Sequence, residues 1–273
     1  MTTSPADPSG AVLPGTAPLA VVTGASTGIG RGLAREFVEH GFDVVVAAEE
    51  PEIHAAAADL ATADRHVFPV QVDLSTAEGV ADLHGRVTAS GRTPEALALN
   101  AGIGVNGRFD QTPLEDDLRL VDLNVRSTVH LAKLVVRDMV AAGRGRVLVT
   151  SSIAAVAPGP FHATYAASKA FVHSFAEGIR EELKDTGVTV TSLMPGPTET
   201  EFFRRADMED TKIGQAPKDD ARDVAHDGFE ALMAGRSSVV AGSAKNRIQA
   251  ELGTHLPDAL AAPLMARMTK PQD

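Results

Sequence analysis

Tyr165 and Lys169 stand four positions apart in the run Tyr165-Ala166-Ala167-Ser168-Lys169. On a helix this spacing puts a phenol and an ammonium on one face, where the cation lowers the proton affinity of a hydroxyl whose ordinary pKa is about 10. A tyrosine tuned in this way can give or take a proton near neutral pH. Such a pair is usually an ordinary surface contact. Two facts lift this one above that: Tyr165 is the only tyrosine in 273 residues, and Ser152 lies upstream at the end of the β-like run Arg146-Val147-Leu148-Val149-Thr150-Ser151-Ser152. Strand ends and the loops after them are where α/β proteins place their chemistry.

A second group precedes these. Val21-Val22-Thr23-Gly24-Ala25-Ser26-Thr27-Gly28-Ile29-Gly30 sets a glycine-rich turn between a strand and a helix expected over residues 31–40, the context in which glycine spacing points to a dinucleotide. Gly24 suits a tight turn, Gly28 lets backbone approach a pyrophosphate, and Gly30 permits close helix packing. The helix start then offers unpaired N–H groups and a positive dipole to phosphates.

The elements that position these groups follow from the apolar pattern. Strands are expected at residues 19–23, 43–48, 66–72, 96–100, 146–151, 189–194 and 238–241, with helical segments between most of them. Runs apolar on both faces, alternating with helices, predict an α/β fold with a doubly wound parallel sheet of about seven strands in a single domain. Apolar residues three or four apart predict one long helix over residues 114–142, ending at Gly143, and the Tyr165 helix is expected to run through Lys184 and stop near Gly187. Residues 1–18 read as a mobile tail, residues 19–242 as the dinucleotide-binding and catalytic domain, and residues 243–273 as a helical extension with a short helix around Lys245-Asn246-Arg247.

Composition sets bounds. A formal net charge of −11 disfavours nucleic acid and anionic membrane surfaces as partners. The absence of cysteine removes disulfides, thiolate metal sites and cysteine nucleophiles. We assign no metal ligand, expect a cytoplasmic location, and find no run near the roughly 20 apolar residues that span a bilayer.

The spacing T-G-x-x-x-G-x-G at residues 23–30, with Ser152, Tyr165 and Lys169, closely resembles the short-chain dehydrogenase/reductase family, and the resemblance covers residues 19–200. It continues at Asp73-Leu74, where it implies a contact to the adenine amino group. Asn100-Ala101-Gly102 is similar to the family's N-N-A-G with Leu99 in the first Asn position, which implies that Asn100 still supports the glycine turn while a stabilising contact after the fourth strand is lost. Asn124 matches the family's helix asparagine. Pro195-Gly196-Pro197-Thr198-Glu199-Thr200 resembles P-G-x-V-x-T, which implies that Thr200 meets the nicotinamide carboxamide. Any one of these could be structural; together, in order and at family spacing, they are hard to obtain by chance.

The resemblance implies an NAD(P)-dependent oxidoreductase that interconverts a small-molecule carbonyl and a secondary alcohol by hydride transfer. Tyr165 would be the acid or base, Ser152 would hold the reacting oxygen, Lys169 would acidify Tyr165 and bond the nicotinamide ribose, and Asn124 would anchor a water linking Lys169 to solvent. The implied cofactor contacts are Thr23, Gly24, Ser26, Gly28, Ile29, Gly30, Glu49, Asp73, Leu74, Asn100, Ala101, Gly102, Tyr165, Lys169, Pro195, Gly196, Thr198 and Thr200. Ala48 occupies the place of the usual NAD-selecting Asp, and Glu49, one residue later, can accept from a ribose 2′-OH. NAD is therefore favoured, with NADP the alternative and Arg31 within reach of a phosphate.

Phe161 and His162 are expected at the pocket entrance, His162 as a solvated loop residue, and residues 201–220 resemble the family's substrate loop. Beyond Gly242 the chain departs from the family's usual end, so a homodimer through the two long helices is expected over a tetramer. The apolar face of the extension could instead cover the substrate pocket. Two other classes remain: a redox sensor without turnover, and a nucleotide-sugar epimerase or dehydratase, whose T-G-x-x-G-x-x-G turn and larger substrate domain this chain lacks.

Overall fold

Leu19, Val21 and Leu97 pack on one side of a sheet, and Ala20, Val22 and Ala98 on the other. Successive side chains of a strand alternate in direction, so a run apolar at every position is stable only where both faces are covered. The computed structural model describes residues 16–272; of the tail expected over residues 1–18, residues 1–15 lie outside them. Seven strands form the sheet: β1 (Leu19–Thr23), β2 (Asp43–Ala48), β3 (Val67–Gln71), β4 (Ala96–Leu99), β5 (Gly145–Thr150), β6 (Val188–Pro195) and β7 (Ser238–Ala241). All pair in parallel, in the order β3-β2-β1-β4-β5-β6-β7. The order reverses between β1 and β4, and in doubly wound sheets a crevice opens at the carboxyl ends of the strands there.

The helices are α1 (Gly28–Glu39), α2 (Glu52–Leu60), α3 (Ala77–Ala89), α4 (Leu114–Val121), α5 (Ser127–Ala142), α6 (Ala163–Leu183), the single turns α7 (Phe202–Arg205) and α8 (Lys212–Gln215), then α9 (Ala221–Met233), α10 (Ala244–His255) and α11 (Asp258–Thr269). Phe37 of α1 and Phe229 of α9 meet edge to face at 5.3 Å between centroids and close one side of the sheet. Leu83 of α3, Leu131 and Met139 of α5, and Val172 of α6 close the other. Pro69 is tolerated in β3 because that strand lies at the sheet edge.

The long helix expected over residues 114–142 is divided by a π-helical turn, Asp122–Arg126. The wider turn holds Asn124, which is 2% exposed. Where a short helix around Lys245 is expected, α10 runs for 12 residues and α11 follows it with Pro263 inside. Among the described residues no helix is long and apolar enough to cross a membrane.

Candidate active site

The glycine turn is shaped by close approach. Gly24 has φ +64°, a left-handed backbone that favours glycine, and a Cβ on it would sit 2.8 Å from the Cα of Ala101. A Cβ on Gly30 would fall onto the Gly24 carbonyl oxygen, and one on Gly28 would lie 2.8 Å from Cγ2 of Thr200. Asn100 ties the turn to the next strands: its Nδ2 donates to the carbonyls of Thr23 (3.2 Å) and Gly24 (3.3 Å), and its Oδ1 accepts from the Thr150 hydroxyl (3.1 Å). Thr23 Oγ1 accepts from the N–H groups of Asn100 and Ala101. Leu99, in the place of the family's first Asn, packs into the apolar core instead.

Thr27 caps α1 without a side-chain hydrogen bond, and the first turn carries no acidic residue. The opening amides of the helix are therefore free for an anion, which together with the side-chain-free cradle at Gly24 and Gly28 fits a pyrophosphate. At the far end of this cleft, Glu49 accepts from Arg119 at 2.6 Å, and Arg119 also reaches Asp73 at 3.3 Å. Burial works to raise the Asp73 carboxyl, but hydrogen bonds from Ser75 and the Arg119 charge outweigh it and hold Asp73 below the usual carboxylate range. Glu50 pairs with Arg205 and accepts from Ser26 at 3.2 Å. Arg31 does not face a phosphate: it pairs with Asp59 at 2.8 Å, on the outer side of α1.

The proton-transfer end is built on β5 and α6. Lys169 is buried, and its Nζ donates to the Thr150 carbonyl at 2.9 Å. It stands 5.7 Å from the centre of the Tyr165 ring. Burial pushes Lys169 down to about 8 and Tyr165 up to about 12, with the Ser152 hydroxyl pulling the phenol the other way. The expected acidified phenol is absent from this arrangement: the ammonium is committed to a carbonyl, and burial outweighs the Ser152 hydrogen bond at the phenol. Ser152 Oγ accepts from the Ala154 N–H at 3.1 Å, capping the turn Ile153–Val156.

Asn124 is tied to the loop after β4 and to α6. Its Nδ2 donates to Ile103 O (2.9 Å) and Ser168 Oγ (3.1 Å), and its Oδ1 accepts from the Ile103 N–H (2.9 Å), so its side chain clamps the loop after β4. Lys169 Nζ and Asn124 Oδ1 both face the space over Gly102, where a Cβ would lie 3.3 Å and 3.1 Å from them. Of the residues expected to contact cofactor or substrate, Thr23, Gly30 and Asn124 stand behind the cleft wall; Gly24, Ser26, Gly28, Ile29, Glu49, Asp73, Leu74, Asn100, Ala101, Gly102, Ser152, Tyr165, Lys169, Pro195, Gly196, Thr198 and Thr200 line it.

Several cleft residues escape sequence reasoning. Phe202 packs on Tyr165 at 5.1 Å between ring centres, and Met208 and Ile213 join it in a small apolar cluster. Gln249 of α10 and Met265 of α11 reach the wall, so the extension contributes to the pocket, while its Ile248, Leu252, Leu260 and Leu264 stay exposed. Its anchor is Asn246, which fills the space over Gly196 and donates to Asp219 Oδ2 (2.6 Å) and Ala241 O (3.0 Å). His162, expected in solvent, is 6% exposed and faces the cleft. For Glu50 an adjacent Glu was the available signal; for Arg119 and Asn246, isolated polar residues on helices, there was none.

Comparison with known proteins agrees with this geometry. The family model described as "short chain dehydrogenase" matches residues 18–211. The protein named "Probable oxidoreductase EphD" of Mycobacterium tuberculosis is 35% identical over 67% of this chain, a match that spans only 31% of EphD. A short-chain dehydrogenase from Sphingobium yanoikuyae in complex with NADPH is 27% identical, with 94% of this chain and 98% of that one covered at a TM-score of 0.77. L-Sorbose reductase from Gluconobacter frateurii, complexed with NADPH and L-sorbose, is 26% identical over 82% of this chain and 94% of that one, at a TM-score of 0.72.

Proposed function

Because this chain belongs to the short-chain dehydrogenase/reductase family of NAD(P)-dependent enzymes, we propose that its cleft interconverts a small-molecule ketone and a secondary alcohol. The observation that carries this reading is that Ser152, Tyr165 and Lys169 line the same crevice as the uncapped start of α1 and the bare backbone of Gly24 and Gly28.

The amides of Gly28 and Ile29 would hold the pyrophosphate, Asp73 and Leu74 would border the adenine, and Thr200 would meet the carboxamide of a dinucleotide whose reduced form would supply hydride to a carbonyl carbon. Tyr165 gives its proton to the carbonyl oxygen, which Ser152 steadies by a hydrogen bond as charge develops there. Lys169, whose ammonium donates to the Thr150 carbonyl, balances the tyrosinate left behind. Burial keeps the Tyr165 phenol protonated at neutral pH, the form that can donate to a carbonyl oxygen.

NAD is the dinucleotide this rim favours. Glu49, Glu50 and Asp73 outnumber Arg119 and Arg205 there, and a 2′-phosphate would have to displace their ion pairs. NADP is the competing reading, supported by the two arginines themselves, which can exchange carboxylates for a phosphate, and by relatives complexed with NADPH. A homodimer is proposed through α4 and α6, whose Leu118 (53%) and Phe171 (44%) are exposed; sedimentation that returns a monomer would refute it.

A panel of ketones and secondary alcohols with NADH and NADPH in separate arms tests the reading. Tyr165→Phe should lower turnover about 10³-fold and change nucleotide affinity by no more than about threefold. Near-normal ketone reduction by that variant would overturn the assignment.

A further inference from the structure

Among the described residues, His162 is the one buried side chain of the cleft with unpartnered hydrogen-bonding atoms. Both ring nitrogens are shut off from bulk water and neither has a protein partner among the described residues. Buried polar groups in native proteins are nearly always satisfied, and the exceptions cluster where a ligand completes them. The ring lies three residues before Tyr165, at 5.8 Å from it between centres. It rests over Gly159, where a Cβ would come within 2.9 Å of Nε2, so a glycine makes its room.

The backbone that aims this ring is over-determined. Phe161, just before it, has φ +64°, a conformation that a bulky residue holds only when its surroundings impose it. The Phe161 carbonyl accepts from the Gly107 N–H (2.7 Å) and Asn106 Nδ2 (3.1 Å), and the Pro160 carbonyl accepts from the Thr269 hydroxyl (2.6 Å). Two segments distant in sequence thus fix one loop, and the loop presents an unsatisfied imidazole beside the proton donor.

Resting on the hydride-transfer reading above, we propose that His162 orients the substrate by hydrogen-bonding a second, uncharged oxygen carried within a few bonds of the reacting carbonyl. The preferred substrate class is therefore a ketone bearing a hydroxyl or a further carbonyl, not a simple ketone. Burial lowers the imidazole to about 4, so at neutral pH it offers one donor and one acceptor and no charge. Its surroundings agree with a neutral ligand: the ring of Tyr165 stands beside it, and the apolar Ile103, Phe202, Met208 and Met265 line the same pocket. The cations of the cleft are engaged elsewhere, Lys169 on Thr150 and Arg205 on Glu50. A half-turn of the ring about its Cβ–Cγ bond exchanges the nitrogen presented to the cleft, which lets one residue serve a hydroxyl or a carbonyl.

The test compares matched ketones on the full chain with saturating nucleotide: butanone against diacetyl and acetoin, and propiophenone against phenylpropanedione. In the wild type, kcat/KM should favour the oxygenated member of each pair by about tenfold or more. His162→Phe keeps the bulk and removes the polar atoms; it should lose about tenfold on the oxygenated members and no more than about twofold on the simple ketones, with unchanged NADH or NADPH affinity by nucleotide fluorescence. His162→Gln, which retains a donor and an acceptor, should keep most of the preference. A measurement without any variant accompanies these: in histidine-labelled wild type with reduced nucleotide, butanediol should shift the His162 ring-nitrogen resonances and butanol should not. Equal losses on both members of a pair, no loss on either, or unmoved resonances overturn the assignment while hydride transfer stands. A wild type inactive on every ketone overturns both.

Discussion

Around Thr23, Gly24 and Asn100 the polar side chains are partnered and the backbone is packed until no Cβ can be added, whereas at the opposite end of the cleft Lys169 carries its charge against burial and His162 has no hydrogen-bond partner among the described residues. The nucleotide end is built for one fixed shape that many ligands share. The substrate end keeps unsatisfied groups, and such groups lower stability until a ligand completes them. The same substitution class should therefore act in opposite directions at the two ends.

The largest effect is expected at Lys169. Lys169→Met should lower turnover about 10³-fold, yet the fold should not weaken. A lysine whose folded value is about 8 and whose ordinary value is 10.5 binds its proton less tightly in the native state. Stability therefore rises with pH between those values, and below pH 8 the full penalty applies, roughly 3 kcal/mol. Removing the charge relieves that penalty but leaves the Thr150 carbonyl unpaired, which costs about 2 kcal/mol. Urea unfolding at pH 7 should then show a gain of about 1 kcal/mol, and the rise between pH 8 and 10.5 should vanish. A clear loss of stability would make Lys169 a structural strut and erase the contrast between the two ends.

At the nucleotide end the sign reverses. Gly30→Ala drives a methyl group onto the Gly24 carbonyl and should cost about 3 kcal/mol and at least about tenfold in nucleotide affinity. Gly178→Ala is the control: it lies in α6 with open space at its Cβ, and should stabilise the chain by about 1 kcal/mol through helix propensity alone. Equal responses at the two glycines would show that packing at the turn is looser than its distances imply.

The same contrast decides what the sequence makes legible. The glycine turn, β1, β2 and β5 are local, so strand periodicity and glycine spacing predict them within a residue or two. Tyr165, Lys169 and Ser152 are legible for the same reason: their spacing on one helix and one strand end already places them. Met265 reaches the cleft from α11, and Arg119 of α4 and Asn246 of α10 support Glu49 and Gly196 in its wall, only through tertiary packing that nothing in their neighbourhood announces. The π-helical turn that places Asn124 leaves the apolar period of residues 114–142 nearly intact, so it reads as plain helix. The protonation of Tyr165 was misjudged for a related reason. Spacing tells how near a cation stands, but burial and the Thr150 carbonyl, which set the balance, are properties of the folded chain.

A smaller effect is expected in acid at His162. Its folded value, about 4, lies below the ordinary 6.5, so the unfolded chain takes up the proton first and stability falls as pH drops from 6.5 through 4. This one group accounts for roughly 3 kcal/mol of acid loss if its burial is complete, and for less where the loop opens to admit water. Between pH 7 and pH 4 the wild type should lose stability relative to His162→Gln, whatever their separation at pH 7. Parallel pH profiles would mean that the ring is solvated in the free protein, and the substrate end would then be less strained than the contrast requires.

The smallest expected change concerns one hydroxyl that joins α11 to the loop before Tyr165. Thr269 is fully buried, and its Oγ1 lies 2.6 Å from Pro160 O and 2.9 Å from Met265 O, while its carbonyl accepts from Asn106. Thr269→Val keeps the shape and removes the donor, which should cost about 1 kcal/mol. If the extension does no more than cover the sheet end, that is the whole effect and both Michaelis constants stay put. If it aims the loop carrying Phe161 and His162, the ketone KM should rise about threefold while the nucleotide KM is unchanged, because the glycine turn shares no hydrogen bond with Thr269. A rise in both would show that the two ends of the cleft move as one body, and the division between a fixed nucleotide end and a strained substrate end would fail.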